Sequence, residues 1–131
     1  MPAWALMQAT SAPWEDLVGY SRLVRIGPHV WVAGTTALGV DGSLVGNEDA
    51  YAQTRQVLAN LERALQAAGS SLDDVVRTRI FVRDISDWEA IGRAHGVVFG
   101  EIRPATTLVE VSRLIESQML VEIEADAYVI D

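Results

Sequence analysis

Apolar and polar residues alternate along the last third of the chain. Val121, Ile123, Ala125, Ala127 and Val129 share one parity, and Glu122, Glu124, Asp126 and Tyr128 the other. Successive side chains of a strand point to opposite faces, so this pattern predicts a strand with one apolar and one acidic face. The stretch Arg103-Pro104-Ala105-Thr106-Thr107-Leu108-Val109-Glu110-Val111-Ser112-Arg113 alternates as well. Residues 75–82 read as a further strand, with Arg77, Arg79 and Phe81 opposite Val76, Thr78, Ile80 and Val82. Residues 23–26 and 29–33 flank the turn dipeptide Gly27-Pro28 and predict a hairpin, ended by Gly34-Thr35-Thr36. A loop with its own turn at Asp41-Gly42 follows over residues 39–46.

Two segments carry helical spacing instead. Over residues 49–68, Val57, Leu58, Leu61, Leu65 and Ala68 form one apolar stripe, and Gly69 supplies the stop. Ser86 and Glu89 have the spacing of a capping box. It opens a second helix that runs to about Phe99, with Ile91, His95 and Val98 on one stripe, and ends before Gly100 and Pro104. The order strand, strand, helix, strand, helix, strand, strand predicts an α+β fold whose two helices cover the apolar face of one mixed sheet. Residues 1–18 show no clear period and read as an N-terminal arm, with order beginning near Gly19; residues 19–131 read as a single domain.

Composition narrows the chemistry. A chain of 131 residues, half of them hydrophobic, suffices for one domain. Without cysteine there is no disulfide, thiolate metal site or cysteine nucleophile. All ten basic residues are arginine, so no lysine can form a Schiff base with a carbonyl substrate or pyridoxal phosphate. Net charge −8 argues against a nucleic-acid partner, whose binding draws on cationic contacts to phosphate. The apolar start lacks a leading positive charge, and no run approaches the ~20 apolar residues of a membrane span, so a cytoplasmic protein with no membrane partner is expected.

Three carboxylates on one sheet face must be answered by water, by arginines or by a ligand. Mixed with Arg77, Arg79, Phe81 and Tyr128, that face suits contact between copies of the chain, with clefts between subunits. His29 reads as an exposed hairpin residue and His95 as a hydrogen-bonded packing residue; neither has a metal-like partner at helical spacing, and no cofactor or metal is expected.

Several motifs taken jointly resemble the Rid, or YjgF-like, family. They are Gly19-Tyr20-Ser21, the strand ending Val32-Ala33-Gly34, the helix bearing Gln53 and Leu61, the run from Val75 to Asp84, Pro104-Ala105 with Val109-Glu110-Val111 and Arg113-Leu114, and Val121-Glu122-Ile123-Glu124-Ala125. The resemblance implies a chorismate-mutase-like α+β fold assembled as a homotrimer, with intersubunit clefts and hydrolysis of small enamines or imines to a carbonyl product and ammonia. It implies a water-activating role for Glu122, and a substrate pocket built from Tyr20 and from backbone near Gly34. In the family an arginine after the Pro-Ala pair grips the substrate carboxylate; here Thr106 stands at that position, with Leu108 two residues on. A threonine hydroxyl offers one neutral donor where a guanidinium offers a charged fork. Arg22 and Arg79 are the candidates to supply the charge, unless they form structural ion pairs. Three readings follow: a Rid-type deaminase, a trimeric binding protein for small molecules that has lost the chemistry, and an endoribonuclease.

Overall fold

The computed structural model describes residues 14–130 in full and the backbone of residues 5–8. The acidic strand, β6 (Val121–Tyr128), lies inside a six-stranded sheet of order β1-β2-β3-β6-β4-β5. The others are β1 (Ala5–Gln8), β2 (Leu23–Ile26), β3 (His29–Thr35), β4 (Val75–Val82) and β5 (Ala105–Glu110). Among the described residues, only β4 and β5 pair in parallel, joined by the crossover helix α3 (Trp88–Phe99). The longer helix, α2 (Ala50–Ala67), connects β3 to β4, and a one-turn helix, α1 (Glu15–Val18), precedes β2.

One apolar face and two apolar stripes make the core. Val30 and Val32 of β3, Ile80 and Val82 of β4, and Val121, Ile123 and Ala125 of β6 are buried against Val57, Leu58, Leu61 and Leu65 of α2 and Ile91 and Phe99 of α3. The spacing that predicted each helix is therefore the spacing that packs it. Gln53 is the polar exception: fully buried, its amide donates to Asn47 O and Gln118 O and accepts from Leu120 N, tying two loops to α2. At the other end of α2, Gly69 takes the left-handed φ of 75° that closes the helix, and Arg25 Nη1 donates to Ala68 O at 2.6 Å.

Three local expectations change. The segment before Gly19 is not without regular structure: Ala5–Gln8 pair antiparallel with β2, and α1 lies just ahead of Gly19; residues 1–4 and 9–13 of the arm lie outside the described residues. Val76 is exposed and Val75 buried, because the register between β4 and β6 shifts between Val75 and Arg77 and turns the alternation over at that point. The Ser86/Glu89 capping box does not form. Asp84 instead accepts from Ser86 N and Oγ, and a 3-10 turn over Ile85–Asp87 leads into α3. A capping box does form at Ser71 and Asp74, in the 3-10 turn that enters β4.

Candidate active site

The open face of the sheet carries the residues the helix face excludes. Arg79 of β4 lies 3.4 Å from both Glu124 and Asp126 of β6, cross-strand partners on that face. Near the hairpin end His29 stacks on Trp31, ring centroids 5.5 Å apart, and meets Tyr128 edge to face at 5.0 Å. Trp31 and Tyr128 keep over two-fifths of their surface exposed, 44% and 42%. Arginine, carboxylate and aromatic surface thus share one side of the sheet.

At the end of β3 this face opens into a cleft of about 780 Å³. Tyr20 and Arg22 enter from the segment before β2, Gly34 from β3, Glu122 and Glu124 from β6, and Asn60 and Arg63 from α2. Arg22 reaches in from just before β2, where its backbone oxygen accepts from Ala33 N of β3: its Nη2 donates to Gly34 O at 2.7 Å and its Nη1 to Thr35 Oγ1 at 3.4 Å. Its guanidinium carbon also stands 5.9 Å from the centre of the Tyr20 ring. Glu122 lies over Gly34 so closely that a β-carbon there would sit 2.3 Å from its Oε2. Only glycine admits the carboxylate at this position.

Electrostatics single out the same residues. Burial pushes the Glu122 carboxyl above the ordinary carboxylate range; Arg22 opposes the shift and Glu124 adds to it. The Tyr20 phenol is raised, chiefly by burial, so at neutral pH it is a protonated hydroxyl able to donate. A carboxylate with raised proton affinity, beside a guanidinium and a neutral phenol, exchanges protons at higher pH than an exposed glutamate.

Of the residues expected from sequence, the cleft of one chain brings together Tyr20, Arg22, Gly34 and Glu122. Arg79, Thr106 and Leu108 are elsewhere. Arg79 is taken up by Glu124 and Asp126. The pairing of Thr78 with Thr106 and of Ile80 with Leu108 turns both β5 side chains to the helix side of the edge strand. There Leu108 packs against the core rather than forming a cleft wall. Thr106 Oγ1 shares a 2.7 Å hydrogen bond with buried Thr78, whose hydroxyl also meets His95 Nε2 at 3.0 Å. His95 is held as a packing residue, against Phe99 and with its proton affinity lowered by burial. Sequence reasoning missed Asn60 and Arg63. Their spacing places them on one polar strip of α2, but only the packing of α2 beside the loop after β3 turns that strip to the cleft, where Asn60 donates to Thr36 O and Leu38 O.

The sequence profile of the family described as Endoribonuclease L-PSP matches residues 2–129. This chain belongs to that family, also called YjgF-like or Rid. Among solved structures, this Rid-family chain is similar to a Mycobacterium tuberculosis protein described as a member of the YjgF/YER057c/UK114 family. The two are 53% identical, with 95% of this chain and 99% of that chain covered and a TM-score of 0.86. It is also similar to YyfA, a conserved Rid protein of unknown function from Yersinia pestis, at 35% identity, the same coverage of both chains and a TM-score of 0.84. The protein named 3-aminoacrylate deaminase RutC of Acinetobacter baylyi is 40% identical over 129 residues, 98% of this chain and 100% of that protein. The α+β architecture expected of a Rid chain is the one observed. No helix among the described residues is long and apolar enough to cross a membrane.

Proposed function

We propose that this protein hydrolyses small reactive enamines or imines, releasing ammonia and a carbonyl product, with Glu122 as the catalytic acid and base. The observation that carries this reading is the Glu122 carboxylate, held over Gly34 beside Arg22 and raised in proton affinity by burial. The similarity to a protein named 3-aminoacrylate deaminase supports the substrate class.

The chemistry needs water, one proton shuttle and an anchor. Glu122 accepts a proton from water as its oxygen adds to the C=N carbon and hands that proton to the nitrogen, giving a neutral carbinolamine. Glu122 then takes the hydroxyl proton and passes it to the nitrogen as the C–N bond breaks, so ammonia leaves, the carbonyl forms and the carboxylate is restored. One water enters; one ammonia and one carbonyl compound leave. For an enamine, protonated Glu122 first delivers its proton to the β-carbon, and the carboxylate then takes an N–H proton from the resulting iminium, which yields the imine. Arg22 has five N–H donors and uses two of them on Gly34 O and Thr35 Oγ1. Its other Nη hydrogens are free to take a substrate carboxylate next to the reacting carbon, and Tyr20 donates to the same ligand.

In this reading the protein is a homotrimer whose open sheet faces meet. The aromatic and charged mixture around Trp31, Tyr128 and Arg79 favours contact with another copy over contact with water. Thr106 and Leu108 line no part of the cleft of their own chain. The family description carries the word endoribonuclease; net charge −8 and two glutamates in the cleft count against a polyanionic substrate.

The test is ammonia release from freshly generated 2-iminopropionate by the wild type and by Glu122→Gln. Release well above buffer, lost in the variant, is the expected result. Release equal to buffer, with keto acids still binding in calorimetry, would leave a binding protein without deaminase chemistry.

A further inference from the structure

The cleft carries apolar surface that a three-carbon substrate does not use. Val18, Val40 and Ile115 are 69%, 81% and 59% exposed, and all three line it. They arrive separately, from α1, from the loop after β3 and from the segment between β5 and β6. Exposed apolar residues scattered singly need no explanation, but three converging on one concavity mark a place where an apolar group is taken out of water. Clefts of roughly 300–1,000 Å³ hold ligands far larger than three carbons, and this one has about 780 Å³.

Cationic groups stand in the same cleft. Arg22 and Arg63 both line it, and among the described residues neither forms an ion pair with a carboxylate. The Nη2 of Arg63 donates to the side-chain oxygen of Asn60, and Arg22 donates to a backbone carbonyl and a hydroxyl, with Glu122 acting on Arg22 only through longer-range attraction. The cleft is amphipathic, and so is the ligand that fits it.

We propose that the preferred substrate is a 2-imino acid, or its enamine tautomer, with a bulky apolar side chain. Its carboxylate lies toward Arg22 and Arg63, its C=N carbon at Glu122, and its side chain among Val18, Val40 and Ile115. The chemistry rests on the hydrolase reading; the selectivity concerns binding and is measurable without turnover. A preceding reaction must then oxidise an apolar amino acid at its C–N bond to supply the imine, and the product is the matching 2-keto acid.

The experiment is calorimetric binding of three compounds to the intact protein: pyruvate, 4-methyl-2-oxopentanoate, and 4-methyl-2-pentanone, which lacks the carboxylate. The branched keto acid should bind at least about tenfold more tightly than pyruvate, since each added methylene in an apolar pocket brings a factor of about ten or more. The ketone should bind more weakly than the branched acid. Val40→Asp and Ile115→Asp should collapse the ratio between the two acids, whereas Arg63→Gln should weaken both acids and leave their ratio. Ammonia release is then compared for the imines made from alanine and leucine by an amino-acid oxidase. Equal affinity for both acids, binding of neither, or a preference that survives both aspartate variants overturns the proposal. Turnover that is equal for the two imines overturns it while sparing the hydrolase reading. The expected binding order without any ammonia release does the reverse.

Discussion

Glu122 and Gly34 are matched across β6 and β3: the carboxylate occupies the space a side chain at position 34 would take, with Oε2 only 2.3 Å from where a β-carbon would be. Gly34→Ala should therefore displace the carboxylate. The displaced atoms are the far end of a flexible side chain, so the fold should tolerate the change while kcat falls by ~10–100-fold, the scale of a misplaced catalytic group. Steady-state ammonia release alongside a thermal melt checks this. A variant with wild-type kcat would show that the position of Glu122 is immaterial.

The raised proton affinity of Glu122 gives stability a definite sign with pH. The folded state holds its proton to higher pH than the unfolded chain does, so this group's contribution is full in acid and is lost as pH rises through the raised carboxyl range. Glu122→Gln should thus melt higher than wild type at pH ~8, with the gap closing toward pH ~4. Activity should run the opposite way, absent in Glu122→Gln throughout and, in wild type, falling on the acid side at a pH above that of an ordinary carboxylate. Melting curves across pH with parallel rate profiles decide both.

His95 titrates with the other sign. Burial lowers its proton affinity, so the unfolded chain takes up a proton first and stability is lost as pH falls below the ordinary imidazole range. His95→Gln should flatten the loss of stability between pH ~7 and ~5. Denaturant melts at several pH values measure it, and an unchanged slope would exclude His95 as the cause.

Gln53 holds three backbone groups that have moved out of water with it. Gln53→Leu strands two carbonyls and one N–H, and should destabilise the protein by about 2–4 kcal/mol, from the ~1–3 kcal/mol cost of each unsatisfied buried group less what rearrangement recovers. Urea denaturation reads this directly.

Arg79 is half-exposed, with 41% of its side chain accessible, and its pairs with Glu124 and Asp126 are shared and long. Arg79→Met should change the stability of the single fold by no more than about 1 kcal/mol. If the open faces meet in a trimer, the same variant should shift light scattering toward smaller species. A wild type that scatters as a lone folded chain would remove the intersubunit reading.

Much of this fold was legible because local periodicity and tertiary burial agree. The stripe Val57, Leu58, Leu61 and Leu65 is apolar for the reason it is buried, and the parity of Val121, Ile123, Ala125 and Ala127 assigns them to the core without knowledge of any partner. The site was legible where a motif placed residues on one strand face, as with Glu122, or at a strand end, as with Gly34. It was not legible at Arg63 and Asn60, whose helical spacing describes a solvated face until another segment packs beside it. At Val76 a bulge broke the parity, and no residue type near it announces that shift.

The sequence alone determined the two helices, the strands from β2 to β6 and the segregation of apolar from charged faces, because side-chain periods of 2 and 3.6 are properties of the backbone. The register between strands belonged to tertiary structure, since it depends on which strands become neighbours. That register sent Arg79 to Glu124 and Asp126, turned Thr106 toward Thr78 and left Arg22 beside Glu122. A charge acts through distance, and distances between residues a hundred positions apart exist only once the chain has closed on itself.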